Sequence, residues 1–271
     1  KNIKTPPGKR CSKAPGQFWA PTKKWLTLFF IISSSLLILQ CGLDVEDPTP
    51  PAPPTWIQKS LPEEWPERGI DAHESGGVYL EWGMAENDDV VAYSVYRAQY
   101  YDVYDSLGDY SRITQLESNE SPATSYVDEN ITRDIIYYYK MKAEDLAGNQ
   151  SHYSDSIYYS IQKKIGSNLM TPNGLAYELS TDRLLSWSND YYNEVEDYCL
   201  TILTEDSELI IRTILQPTTY IDREERWVIP DSIILQSGQI YKWRIDTGGR
   251  YIDGYESSGS ESSWATFLFR S

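Results

Sequence analysis

Beyond residue 76 the chain runs in short segments where apolar and polar side chains alternate, and turn-forming residues separate one segment from the next. Val78, Leu80 and Trp82 fall on one side of such a run and Tyr79 and Glu81 on the other. In Val91–Arg97, Tyr93 and Val95 oppose Ser94 and Tyr96, and Ile135–Ala143 is a third, longer run. A period of two is the mark of a strand with one buried face, and no stretch carries a helical period. Glu86-Asn87-Asp88-Asp89 and Gly148-Asn149 supply turns, since Gly and Asn accept positive φ. The cycle then repeats: Leu184–Trp187, Asp197–Leu203, Thr218–Ile221, Gly238–Asp246 and Ser263–Phe269 follow in the same order as their counterparts in the first half. Trp82 and Trp187, like Tyr126 and Tyr220, are separated by roughly 100 residues, the length of one β-sandwich. Extra residues stand between Arg223 and Ile234 in the second copy. The pattern predicts an all-β chain of two tandem sandwiches, over residues 64–163 and 170–271, joined by the short run Lys163–Leu169.

Upstream the pattern changes. Residues 25–39 are almost wholly apolar and follow Lys23-Lys24, but the run is short for a spanning helix, which needs about 20 residues. It fits the hydrophobic core of a signal segment over residues 1–40, with an uncleaved anchor as the rival reading. Leu37-Ile38-Leu39-Gln40-Cys41-Gly42 resembles a bacterial lipobox, although Gln40 stands where a small residue is usual. That resemblance implies cleavage before Cys41, acylation of Cys41, and a chain anchored by lipid to a bacterial envelope membrane, the outer one in a Gram-negative cell. Residues 41–63 are polar, acidic and proline-rich, as suits a tether in extended polyproline conformation.

The alternating runs also resemble the fibronectin type III family. Leu80-Glu81-Trp82 is similar to its strand B, Tyr93–Arg97 to strand C and Thr124–Asp128 to strand E. Tyr137–Ser151 is similar to strand F and the turn into strand G, with Ser156–Gln162 as the G candidate. The resemblance implies two immunoglobulin-like sandwiches, each centred on a tryptophan, that bind or space rather than catalyse.

Composition supports the β reading. Tyr (22) and Trp (9) far outnumber Phe (5) and Met (3), and both suit strands that bury one edge while keeping a polar atom satisfied. The formal charge of −16 conceals an asymmetry, because seven basic and no acidic residues precede Gly42, so all 40 acidic residues lie beyond it. Such a surface repels nucleic acid. Cys199 sits in an apolar strand and is expected to be a buried thiol; neither a CxxC pair nor a His/Cys cluster suggests zinc.

Candidates for chemistry are sparse. His73 and His152 fall near turns without a nucleophile motif and are expected at the surface. Carboxylates abound, but paired acids for glycoside hydrolysis need a cleft that small sandwiches lack. Glu86, Asp88 and Asp89 lack calcium-loop spacing and read as a solvated turn. Three Asn-X-Ser/Thr sequons have no expected use in a bacterial lipoprotein. No cofactor or metal is expected. The candidate binding surface is aromatic: Tyr100, Tyr101, Tyr104 and Tyr110 after strand C, and Tyr191 and Tyr192 in the second copy. Edge packing is the plainer reading of these tyrosines, and stacking on a sugar or anchoring a protein is the functional one. The expected function is a non-catalytic envelope lipoprotein that acts in protein interaction, adhesion or spacing. The alternative is a carbohydrate-binding accessory of a polysaccharide-utilisation system.

Overall fold

The computed structural model describes residues 47–59, 67–84, 89–118, 122–174, 178–179, 182–189, 195–218, 223–252 and 255–270. In the first half the strands are β1 (Gln58–Lys59), β2 (Glu67–Arg68), β3 (Ile70–Ala72), β4 (Val78–Glu81), β5 (Val90–Tyr101), β6 (Ser106–Leu107), β7 (Ser111–Glu117), β8 (Ser125–Asp128), β9 (Ile136–Asp145) and β10 (Ile157–Ile161). The second half contributes β11 (Met170–Thr171), β12 (Glu178–Leu179), β13 (Leu184–Ser188), β14 (Asp197–Thr204), β15 (Leu209–Leu215), β16 (Glu224–Val228), β17 (Ile240–Ile252), β18 (Tyr255–Glu261) and β19 (Ala265–Phe269). Among the described residues, no helix is long and apolar enough to cross a membrane.

Each half is an immunoglobulin-like sandwich. In the first, β3-β4-β8 form one sheet, and β7, β5, β9 and β10 pair in turn to form the other. In the second, β11-β13-β16 face a sheet in which β15, β14 and β17 pair in turn, with β19 on β17. The alternation explains the layering. The burial of β9 changes at every step, placing Tyr137, Tyr139, Met141 and Ala143 inward and Tyr138, Lys140 and Lys142 outward. Trp82 fills the first core beside Tyr93, ring centroids 5.6 Å apart and edge to face. Trp187 does the same beside Tyr198 at 5.4 Å in the second. Both halves carry a tyrosine corner: the amide of Thr132 donates to Tyr137 Oη at 3.1 Å, and that of Gln236 to Tyr241 Oη at 2.8 Å.

A serine device also recurs. Ser154 Oγ accepts the Met141 amide and Ser262 Oγ the Ile245 amide, each where the last strand of its sandwich leaves the ladder before rejoining it as β10 or β19.

The structure departs from the sequence reading in three places. Residues 55–59 were assigned to the tether but are tied to the first sandwich: Ile57 donates to Glu81 O, Gly83 to Thr55 O, and Trp56 packs edge-on against Trp82 at 6.4 Å. Gly69 (φ 78°) makes room for this strap, since a Cβ there would meet Trp56 Cβ at 2.9 Å. Secondly, the strand that pairs with β13 is β16, which lies within the supposed extra residues, whereas Thr218 lies outside any strand and 219–222 fall outside the described residues. Thirdly, β17 runs past the expected Asp246 to Ile252 and turns back as β18, a hairpin arm absent from the sequence reading.

That arm joins the halves. Ser160 and Ile161 of β10 pair in parallel with Ser258 and Gly259 of β18, and Gln162 donates to Gly259 O at 2.7 Å. The two larger sheets therefore continue into each other, and the edge strand of the first sandwich is covered. Among the described residues, both cores are built from residues between Trp56 and Phe269, within the unit that spans Pro48–Ser271.

Candidate binding surface

The tyrosines anticipated after strand C occupy the hairpin between β5 and β7. Tyr100 and Tyr101 end β5, Tyr104 closes a 3₁₀ turn over Asp102–Tyr104, and Tyr110 precedes β7. The turn ends on Asp105 in the left-handed region (φ 47°), which an aspartate tolerates. It places the Asp105 carboxylate against Tyr100, whose hydroxyl donates to it. That bond holds the Tyr100 phenol in its neutral form and pushes its pKa up to about 12. Tyr101, Val103, Tyr104 and Leu107 are exposed, Val103 and Tyr104 the most so. Cys41, Tyr191 and Tyr192 lie outside the described residues, as do Glu86 and Asp88.

Tyr110 turns the other way, onto the outward face of β5, β9 and β10. Its hydroxyl is 2.7 Å from Ser156 Oγ, and its ring lies 3.8 Å from Lys140 Nζ. The ring of Tyr153 also lies 3.8 Å from Lys140 Nζ, and it meets Lys142 Nζ at 4.6 Å and Tyr96 edge to face at 5.2 Å. A second row crosses the same face: Tyr100 to Tyr138 at 6.3 Å, Tyr138 to Tyr158 at 4.9 Å, and Arg68 over Tyr158 at 5.0 Å. Register explains the clustering, because Tyr96 pairs with Lys140, Ala98 with Tyr138 and Tyr138 with Tyr158. A period of two then sends all of these side chains outward.

The face therefore presents six tyrosines (Tyr96, Tyr100, Tyr110, Tyr138, Tyr153 and Tyr158) with lysines held among them. Cation–π contacts of this kind contribute about 0.5–1 kcal/mol each at exposed sites. The sequence reading named Tyr100 and Tyr110 but missed the other four. The signal for Tyr138 is the second face of Tyr137–Lys142, where the residues between core positions are aromatic or basic.

The remaining candidates stay apart from this surface. His73 Nδ1 contacts Ser75 Oγ at 2.9 Å within the β3–β4 turn, and its ring stacks on Tyr79. His152 is exposed. Cys199 is buried, and burial pushes its thiol up, away from a reactive thiolate. Asp89 uses its carbonyl to accept the Leu146 amide. A cleft of about 590 Å³ opens where the halves meet, lined among others by His73, Arg133, Gln162, Lys164, Asn168 and Ser260.

No family model and no curated protein matches the chain. Solved structures similar to it include the FN1-FN3 domains of chicken CNTN1, at 16% identity and TM-score 0.32, covering 82% of this chain and 68% of that one. The chicken interferon gamma receptor alpha chain is similar at 15% identity and TM-score 0.32, covering 81% of this chain and 100% of that one. The twitchin kinase region of C. elegans, at 15% identity and TM-score 0.30, covers 54% of this chain, which spans 22% of that structure. At such scores the fold rests on the strand pairing described above.

Proposed function

We propose that the chain is a non-catalytic binding module of the bacterial cell envelope, anchored by lipid at Cys41, which presents the tyrosine–lysine face of its first sandwich to a partner. The observation that carries this reading is the division of labour in β9. Its inward residues complete the core, while Tyr138, Lys140 and Lys142 join tyrosines of neighbouring segments on the open side. Aromatic rings with a polar edge suit interfaces because they offer large contact area and lose few rotamers on binding. The acidic, proline-rich stretch behind Cys41 is the expected spacer.

A carbohydrate partner is the second reading, favoured by the row Tyr158–Tyr138–Tyr100, three neighbouring rings on the outward face, each tilted against the next. Residues 48–271 and the variant Tyr138→Ala/Tyr158→Ala are to be compared for binding to a polysaccharide array and to purified envelope proteins. The expected result is retention by the parent and at least a tenfold loss in the variant, since losing two aromatic anchors costs about 2 kcal/mol or more. Equal binding by both proteins would refute the role of this face. An intact-mass measurement of membrane-extracted protein tests the anchor, and an unmodified Cys41 in an uncleaved chain would refute it.

A further inference from the structure

The junction between the halves buries acidic groups that the proposed binding face does not use. Glu256 of β18 and Tyr159 of β10 are sealed from solvent, and Asp71 of β3 is 8% exposed. The Tyr159 hydroxyl lies 2.9 Å from Glu256 Oε1 and 3.3 Å from Asp71 Oδ1, so one phenolic proton serves two carboxyls contributed by different sandwiches. Asp71 Oδ1 also accepts the Ala72 amide at 2.6 Å. As carboxylates, both acids are acceptors only. Glu256 Oε2 has no donor among the described residues, and the carboxyl contact between Glu256 and Asp71 becomes a hydrogen bond only when one of them carries a proton.

The next charges around the cluster are ion-paired: Glu67 of β2 is buried and bridged to Lys59, and Asp246 of β17 is bridged to Arg244. Among the described residues the other cations near it hold other groups as well: Lys59 also meets Glu81, Arg244 also meets Glu261, Lys164 donates to Glu74 O, and Arg68 lies over the Tyr158 ring. Gly259 makes the close approach possible, because a Cβ there would collide with Thr247 O and Glu256 Oε1 and meet Tyr159 Oη at 2.8 Å. The ladder between β10 and β18 has only two paired positions, Ser160 with Ser258 and Ile161 with Gly259, so the buried acids weigh heavily in whether it stays closed.

We infer that Asp71, Glu256 and Tyr159 form a proton-dependent latch between the two sandwiches, closed when the carboxyl pair holds a proton and released when that proton leaves.

Burial, and then the charge of Asp71, hold the Glu256 carboxyl well above its ordinary range. The closed junction therefore binds the proton more tightly than the open one. Its stabilisation is complete below the ordinary glutamate pKa of about 4.3 and is lost as pH rises through the raised value, each unit of separation shifting the closed-to-open ratio about tenfold. Acid closes the latch and alkali opens it.

The test uses residues 48–271 with isotope-labelled Glu and Asp carboxyl carbons, titrated by NMR from about pH 4 to about pH 9. Amide exchange at Gln162, corrected for its intrinsic pH dependence, is followed in parallel. Glu256 is expected to titrate well above 4.3, with Gln162 exchange rising at least about tenfold across the same midpoint. Glu256→Gln, which keeps a donor but cannot ionise, is expected to hold Gln162 protected throughout, whereas Asp71→Asn, which removes the neighbouring charge but leaves Glu256 buried and ionisable, is expected to lower the midpoint without abolishing it. An ordinary Glu256 midpoint, or exchange that ignores the midpoint, overturns the inference, and the parent protein alone decides both. Wild-type pH dependence in a folded Glu256→Gln also overturns it. So does protection that follows added calcium and its removal by EDTA at constant pH, which would make the cluster a cation site.

Discussion

Replacing Asp128 by alanine tests how the first sandwich fastens its two sheets. The carboxylate at the end of β8 is 2% exposed, and its Oδ2 accepts from Arg97 Nη1 at 2.7 Å and from Tyr139 Oη at 3.0 Å. Oδ1 takes the Asn130 amide at 3.2 Å. Arg97 and Tyr139 belong to β5 and β9 of the opposite sheet, so one side chain of the three-stranded sheet receives donors from two strands across the core. In Asp128→Ala the guanidinium keeps its contact with Asn130 O at 2.6 Å and its position 4.9 Å from the Tyr137 ring, but it loses its counter-charge in a site 19% exposed. Breaking a buried pair from one side costs about 3–5 kcal/mol. The stranded Tyr139 hydroxyl, wholly inside the core, adds about 1 kcal/mol. Because Arg97 keeps some access to water, about 3 kcal/mol is the expected loss. Tyr139→Phe removes a single donor, leaves Arg97 on Asp128, and is expected to cost about 1 kcal/mol. Urea unfolding of residues 48–271, read by tryptophan fluorescence with amide exchange along β9, measures both. A loss below about 1 kcal/mol for Asp128→Ala, or equal losses for the two variants, would refute the argument that the charge pair fastens the sheets.

Two further outcomes follow from local chemistry. Ser154→Ala and Ser262→Ala each remove the acceptor of a buried strand amide, Met141 or Ile245, and each is expected to cost about 1–2 kcal/mol in urea unfolding; a neutral result in both would show that the ladder relaxes to satisfy the amide. Phenolate absorbance should place Tyr100 near 12, because the neutral hydroxyl donates to Asp105, and Asp105→Ala should bring it back toward the ordinary value of about 10; an unchanged titration would remove the Asp105 bond as the cause.

The strands themselves were legible because burial on one side of a sheet imposes a period of two. Val78, Leu80 and Trp82 all face the core as the alternation implies, and so do Tyr93 and Val95. The repeated order of runs held for β13, β14 and the first part of β17, whose counterparts are β4, β5 and β9. It misplaced the strand beside β13, since β16 (Glu-Glu-Arg-Trp-Val) is too polar to announce itself; Glu225 is buried there by bonding the Thr218 amide and hydroxyl. The tyrosine surface was half legible. A hairpin crowded with Tyr100, Tyr101, Tyr104 and Tyr110 is visible in one line of sequence, but neighbours across strands are not. Only register brings Tyr96, Tyr138 and Tyr158 beside Tyr100 and Tyr110.

By itself the sequence determined what depends on neighbours close along the chain: strand period, turn chemistry, the tryptophan at the centre of each copy, and the uneven charge, with all 40 acidic residues beyond Cys41. Tertiary structure alone decided where distant segments meet. It laid β18 against β10, packed Trp56 onto Trp82, and brought Asp71, Tyr159 and Glu256 to one buried point. Those contacts depend on register and on the approach of one sandwich to the other. A polar residue such as Glu256 looks in sequence like any exposed strand position until a second sheet covers it.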